Sequence, residues 1–217
     1  VLEQVSDEAR SAALLAVVRK KGIDILSFNK KVQQWRARVM LLHRAGADVE
    51  ANPWPDLSDE ALLDTLESWL LPYLDPVRRL EDFRSLNVKD MLRVLLPWPL
   101  PLELERLVPE RWAAPSGSSV EIDYTQTPPV LAVKLQEMFG CEDTPTVAGG
   151  LVALQIHLLS PGQQPLQITQ DLAGFWRSSY HDVKREMKGR YPKHPWPDDP
   201  LVAVATRYTK KRMGPRE

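Results

Sequence analysis

Nineteen prolines and ten glycines, gathered in clusters, punctuate this chain of 217 residues more sharply than any run of charge. Proline fixes φ and lacks an amide donor, so it stops helices and is kept out of central strands. The elements must be read between these breaks. Residues 7–20 predict a helix with Leu14, Leu15, Val17 and Val18 apolar, stopped at Lys20, Lys21 and Gly22. A second is expected at 29–44, where Val32, Trp35, Val39 and Leu42 recur at the spacing of one buried face. Lys30, Lys31, Arg36, Arg38 and Arg44 lie elsewhere on it, either as a nucleic-acid surface or as a solvated face. A polar link at 45–56 leads to Ser58, an N-cap for a helix through Leu62, Leu66, Trp69 and Leu70 that ends at Pro72. Asn87 caps a fourth helix, and Pro97, Pro99 and Pro101 break it before a short helix near 102–107.

The period changes after Pro115, Ser116 and Gly117. Val120, Ile122 and Tyr124 alternate with Ser119, Glu121 and Asp123, which predicts a half-buried strand. Pro128 and Pro129 are expected to open a helix running to Gly140. Residues 151–159 and 165–169 read as a hairpin across Ser160, Pro161 and Gly162, and Thr169 as the cap of a long helix at 170–189. The expected fold class is α+β: a helical subdomain over 1–112, then an α+β domain over 113–217. That domain should hold a mainly antiparallel sheet of about three strands, a long C-terminal helix, a Pro-rich strap and a basic tail. No internal repeat is apparent.

Composition removes whole classes of function. With 28 basic and 29 acidic side chains and a net charge of −1, the chain as a whole is not a nucleic-acid or membrane binder on charge alone. One cysteine, Cys141, excludes a disulfide framework and a Cys-based zinc site, and no apolar run approaches the roughly 20 residues of a membrane span. A cytoplasmic protein is the expectation. The chain starts at Val1 with no signal-peptide pattern, which reads as a piece of something longer.

The search for chemistry is largely negative. Phosphate loops need a Gly-rich turn followed by Lys and Ser or Thr, and the pair Gly149–Gly150 lacks that sequel, so it reads as a turn. His43, His157, His181 and His194 are too scattered for a metal pair on one helix, and His157 is read as a core histidine. Glu121 and Asp123 share a strand face, as paired acid/base carboxylates would, but solvent-facing strand positions look the same. Cys141 has no neighbour to activate it. No catalytic residue, metal or cofactor is assigned to this chain.

The strongest constellation is the last helix. Trp176, Tyr180, Val183 and Met187 make one apolar stripe, and Arg177, His181, Lys184, Arg185 and Lys188 make a basic stripe beside it, with Asp182 and Glu186 turned away. From Trp176 to Glu217 there are 11 Lys and Arg against 5 Asp and Glu, or +6, so residues 1–175 sum to −7. Arg190, Lys193, Lys210, Lys211 and Arg212 extend the basic run. Together these cations are candidate phosphate contacts, with Tyr191 and Trp196 as stacking or partner-binding rings. Two alternatives stay open: Trp196 as a strap across the domain, and the basic surface as a dock for an acidic partner.

QDLAGFW (170–176) and GRYPKHPWPDDP (189–200), with PPVLAVKLQEMFG (128–140), VAGG (147–150) and LLSP (158–161), resemble the C-terminal region of the HrpB family of bacterial DExH-box ATP-dependent RNA helicases. WPDLSDEALL (54–63), WLLPYL (69–74), LLPW (95–98) and PSGS (115–118) carry the likeness into the first half. The resemblance implies a parent helicase whose RecA-like domains, ATP and Mg sites and further modules lie upstream in cis. None of those motifs is in this sequence, so no ATP-contacting or catalytic residue transfers to it. The expected role is a non-catalytic accessory region adding contacts to RNA or another single-stranded nucleic acid. The alternative is a protein-interaction module that docks on the helicase core or recruits a protein partner.

Overall fold

In the computed structural model, which describes residues 6–46 and 50–213, the chain divides into two units between Arg106 and Leu107. The first is built from helices whose starts are written locally. The Ser6 hydroxyl accepts from the Ala9 amide at 3.1 Å and opens α1 (Asp7–Lys21), which stops at Gly22 with φ +86°. Glycine adopts that backbone without the clash a Cβ would bring. Asn29 caps α2 (Lys30–Ala45) and Ser58 caps α3 (Asp59–Asp64). The expected link at 45–56 lies outside the described residues at 47–49.

The single helix expected through Leu62 to Leu70 is instead two. Thr65 leaves the helical region and its hydroxyl donates to the Ala61 carbonyl at 2.7 Å, which separates α3 from α4 (Leu66–Trp69). Asn87 caps α5 (Val88–Leu92), and α6 (Leu100–Leu107) ends the series. Val32, Trp35, Val39 and Leu42 of α2 are buried, as are Leu62, Leu66, Trp69 and Leu70. The basic surface expected on α2 is partly turned inward. Arg38 is fully buried with its guanidinium 2.8 Å from Glu105, and Arg36 donates to the Leu57 carbonyl and to Asp59, each at 2.5 Å. Those two cations hold the unit together instead of facing a ligand.

In the second unit the sheet has five strands, where about three were expected. In chain order they are β1 (Arg111–Ala113), β2 (Ser119–Asp123), β3 (Val130–Lys134), β6 (Gln155–Leu159) and β7 (Pro165–Thr169). β4 (Thr146–Val147) and β5 (Val152–Ala153) form a separate ribbon. The pairs are antiparallel except β3 with β6, which is parallel. The helix expected from Pro128 to Gly140 is β3 followed by a 3-10 turn at Leu135–Met138. The run Val130 to Val133 is apolar at every position and carries no period of two in sequence, although on the strand Ala132 is exposed between the buried Leu131 and Val133. The β6–β7 hairpin is present, closed by Ser160 and Gln164 backbone groups at 2.8 Å.

The long C-terminal helix is likewise two elements, α7 (Leu172–Arg177) and α8 (Tyr180–Arg190). Its cap is Asp171, which accepts from the Gly174 amide at 2.8 Å, while Thr169 accepts from the Asp171 amide. A Cβ on Gly174 would stand 2.1 Å from an Asp171 carboxylate oxygen. The spacing of Asp and Gly in QDLAGFW therefore has a local cause. The Ser178 hydroxyl then donates to the Gly174 carbonyl at 2.7 Å and ends α7.

Candidate nucleic-acid surface at the C-terminal strap

The apolar stripe of the last helices packs as its spacing predicts. Trp176, Tyr180 and Met187 are buried, and Phe139, Phe175, Trp176 and Tyr180 form a cluster with ring centroids 5.0–6.4 Å apart. The indole of Trp176 donates to the Cys141 carbonyl at 2.7 Å. The Tyr180 hydroxyl donates to the Pro197 carbonyl at 2.8 Å, and burial, with Asp198 nearby, pushes its phenol well above the ordinary range.

That bond begins the strap. Residues 191–200 return across the cluster, where Trp196 is 7% exposed and donates to the Tyr191 carbonyl at 2.9 Å. Gly140, at φ +79°, donates its amide to the Pro200 carbonyl at 2.9 Å, and a Cβ there would come 3.6 Å from the Leu201 carbonyl. Trp196 therefore does not present a face for stacking or docking. A large ring with one N–H gains more from the core of its own domain than from solvent. Tyr191 is half-buried, with its hydroxyl 3.5 Å from the Ser160 hydroxyl and Arg190 over its ring at 5.9 Å.

The basic stripe on α8 is less free than its pattern suggests. Arg177, His181, Arg185, Lys188 and Arg190 are exposed. Lys184, however, donates to Asp198 of the strap, and that hydrogen bond together with the lysine charge holds the Asp198 carboxyl below its usual range. Arg185 lies 3.2 Å from Asp182, the acid expected to point away. One turn of helix brings positions three apart together whatever their nominal angle.

The tail lies against the strap instead. Gln136, 2% exposed, donates to the Thr206 carbonyl at 2.8 Å and to the Tyr208 carbonyl at 3.2 Å, while its own carbonyl receives His194 Nδ1 at 2.8 Å. Burial, and then the Lys134 charge, lower the His194 pKa. The Lys210 amide donates to the Lys193 carbonyl at 2.9 Å and its ammonium to the Pro192 carbonyl at 3.2 Å. Arg207 and Arg212 both lie over the Tyr208 ring at 5.1 Å. Lys193, Lys210, Lys211 and Arg212 are thereby gathered at one end of the strap, all exposed. Arg207 and Tyr208 were missed by the sequence reading. The interleaving in RYTKKR (207–212) is the signal that marks them.

Other sequence candidates settle into structural roles. Asp123 accepts from the Thr125 amide and hydroxyl at 3.0 and 2.6 Å, a turn contact at the end of β2. His157 is half-buried on the sheet face opposite Ile156 and Leu158, not in the core. Burial raises the Cys141 thiol, with Asp143 adding to it, so the thiolate is scarce. Gly149 and Gly150, at φ +68° and +91°, form a turn before β5. Among the described residues no group of three His, Cys, Asp or Glu is placed to hold a metal.

Over residues 69–200 the chain matches the family described as ATP-dependent helicase C-terminal. It is 43% identical over 211 residues to the ATP-dependent RNA helicase HrpB of Escherichia coli (strain K12), covering 97% of this chain and 26% of that protein. The crystal structure of the E. coli DExH-box NTPase HrpB aligns with a TM-score of 0.86 at 42% identity, over 96% of this chain and 26% of that one. A crystal structure of the E. coli DEAH/RHA helicase HrpB aligns at 0.73 with 40% identity, over 90% and 24%. The chain thus spans about a quarter of the length of these relatives.

Proposed function

The chain belongs to the HrpB family of ATP-dependent helicases, as its C-terminal region, and on that premise we propose that it is a non-catalytic accessory region adding nucleic-acid contacts to a helicase motor. The ATP and Mg chemistry belongs, on this reading, to the upstream domains in cis. The E. coli relative is an ATP-dependent RNA helicase, which supports RNA as the ligand class, taken here as single-stranded. A cytoplasmic location goes with that reading. No described helix is long and apolar enough to cross a membrane.

The observation that carries the proposal is the Lys193–Lys210 tie, which joins two basic segments into one surface. Arg190, Lys193, Lys210, Lys211 and Arg212 would meet phosphates, with Arg207 beside them and Tyr191 and Tyr208 as partly open rings. Arg177, His181, Arg185 and Lys188 on α8 add charge at longer range, while Lys184 is spoken for by Asp198. Fluorescence anisotropy with a labelled single-stranded RNA of about 20 nucleotides tests it. If about five phosphates are neutralised, log affinity should fall against log salt with a slope near −3.5. Reversing Lys210, Lys211 and Arg212 to Glu should remove binding; an unchanged affinity would sink the assignment.

A second reading has its own support. Val94, Trp98 and Leu102 are 53%, 74% and 56% exposed within one short stretch of the first unit. Large apolar side chains left open together favour a protein contact, here the upstream helicase domains. Trp98→Ala should weaken a pull-down of those domains, whereas Trp196→Ala acts on folding. Retention undiminished by Trp98→Ala would remove this reading.

A further inference from the structure

The first unit is nearly neutral, with 15 Lys and Arg against 17 Asp and Glu over residues 1–106, yet one of its clefts is lined by cations alone. Ser27, Asn29, Lys31 and Val32 line one side, and Arg84, Leu86, Asn87, Val88 and Lys89 the other, around about 300 Å³. Three cations and no acid face it. Val32 and Val88 at its floor are buried. The two asparagine oxygens are already committed as caps, accepting from the Val32 and Asp90 amides at 3.1 and 3.4 Å. The Ser27 hydroxyl, the Asn29 amide nitrogen and the three cationic side chains are the side-chain donors that remain.

Neighbouring arginines are treated differently. Arg79 is met by Asp82 at 3.8 Å and Arg93 by Asp90 at 2.9 Å, and Asp90 also receives the Asn87 amide group at 2.6 Å. The acid next to Lys89 in sequence is thereby occupied. Among the described residues Lys31, Arg84 and Lys89 form no ion pair. Like charges brought to one cleft repel, and an anion bound between them would offset that repulsion. A planar guanidinium with two ammonium groups and a hydroxyl suits a tetrahedral oxyanion that accepts from several directions.

We propose that the cleft between Asn29 and Asn87 binds a phosphate group. The source is either the backbone of a nucleic acid or a free phosphate-bearing compound, and the chemistry is shared by both. The proposal stands apart from the RNA surface of the second unit, since it uses none of its residues.

The test is amide-resolved NMR of the chain titrated with pyrophosphate, against sodium chloride at matched ionic strength. The expected result is saturable shifts at residues 27–32 and 86–89 that chloride does not reproduce. The double variant Lys31→Glu, Lys89→Glu should weaken this by about tenfold or more, since each loses a charge-assisted contact. Lys31 is exposed and Lys89 half-buried, and an unchanged thermal midpoint certifies that the variant is folded. An Arg84→Gln variant gives an independent reading from the other side of the cleft. An unstructured RNA of about 10 nucleotides is the second arm. Shifts at the same amides at lower concentration than pyrophosphate would assign the source to a polymer backbone, and shifts with pyrophosphate alone would assign a small phosphate compound. Chloride reproducing the shifts, neither phosphate probe moving these amides, or both variants titrating like the wild type would each overturn the proposal. Loss of RNA binding through the 210–212 reversal would leave these amides responsive to pyrophosphate, so the two ideas fail separately.

Discussion

On α8 two of the four Lys and Arg side chains come with counterions: Lys184 faces Asp198 and Arg185 faces Asp182. On residues 207–212 they come with a ring, as Arg207 and Arg212 lie over Tyr208, and no described acid pairs with Lys210 or Lys211. An ion pair cancels the field a distant phosphate would feel, whereas a cation over an aromatic face keeps its full charge. Two stretches that look alike in a count of Lys and Arg thus differ in what they offer a polyanion. The strap between them decides the matter, because it carries Asp198 toward α8 and Lys193 toward the tail.

The hardest way to break this contrast is to remove the strap's anchor. Trp196→Ala deletes a buried indole and its bond to the Tyr191 carbonyl, and should cost about 3–5 kcal/mol in urea unfolding. Reversal of Lys210, Lys211 and Arg212 should leave stability within about 0.5 kcal/mol, because exposed surface changes rarely matter more. A Trp196→Ala chain as stable as the wild type would mean the strap is not part of the core. The start of α7 gives a smaller effect. Asp171→Ala should cost about 1 kcal/mol by the loss of a cap. Gly174→Ala should destabilise the wild type by crowding Asp171, yet be neutral or stabilising once Asp171 is Ala, as alanine is the better helix former. Equal effects of Gly174→Ala in both backgrounds would remove the steric account of that motif.

Local signals were legible where one residue decides the outcome. Ser58 and Asn87 cap helices as their side chains predict, and the hairpin over Ser160 to Gly162 follows from its turn residues. Long-range signals were not. Val130 to Val133 reads as part of a helix because its outward position is the apolar Ala132, which hides the alternation, and β6, its parallel partner, comes more than twenty residues later. β1 is three residues long and too short for any period. For the surface, the basic composition of the C-terminal part was plain, but the loss of Lys184 to Asp198 depends on where a proline-bound strap returns. The burial of Trp196 depends on the same return, which is why its aromatic ring among cations read as a stacking platform.

Asp198 offers a finer test of the same contrast. Asp198→Asn removes the counterion of Lys184 while leaving the strap's backbone bonds in place, so α8 should gain affinity for RNA by roughly threefold at low salt, an advantage that salt erodes. The Lys184→Gln, Asp198→Asn double variant should by contrast change little, since it removes the lysine and its counterion together. Both are measured by anisotropy at two salt concentrations. If the double variant weakens binding as much as a tail substitution does, the distinction between paired and unpaired cations fails.

The smallest expected effect separates the two ends of the strap by pH. His194 lies against Gln136, whose amide nitrogen is held by the Thr206 and Tyr208 carbonyls, so its ring donates from Nδ1 to the Gln136 oxygen. Burial and Lys134 bring its pKa below the ordinary 6.5. In the window between that lowered value and 6.5 the unfolded chain binds more protons than the folded one, so stability rises with pH. The favourable contribution is complete above about pH 6.5 and is lost as pH falls through the folded pKa. Asp198 is lowered too, but from a value already far below this window: its carboxyl keeps the bond to Lys184 intact until the pH drops below the usual carboxylate range. Mild acid should therefore loosen the tail at Gln136 before it touches the α8 end. His194→Gln abolishes that titration, so the thermal midpoint of the wild type relative to the variant should decline between pH 7.5 and 5.5. A constant difference across that range would show that His194 does not couple the tail to pH.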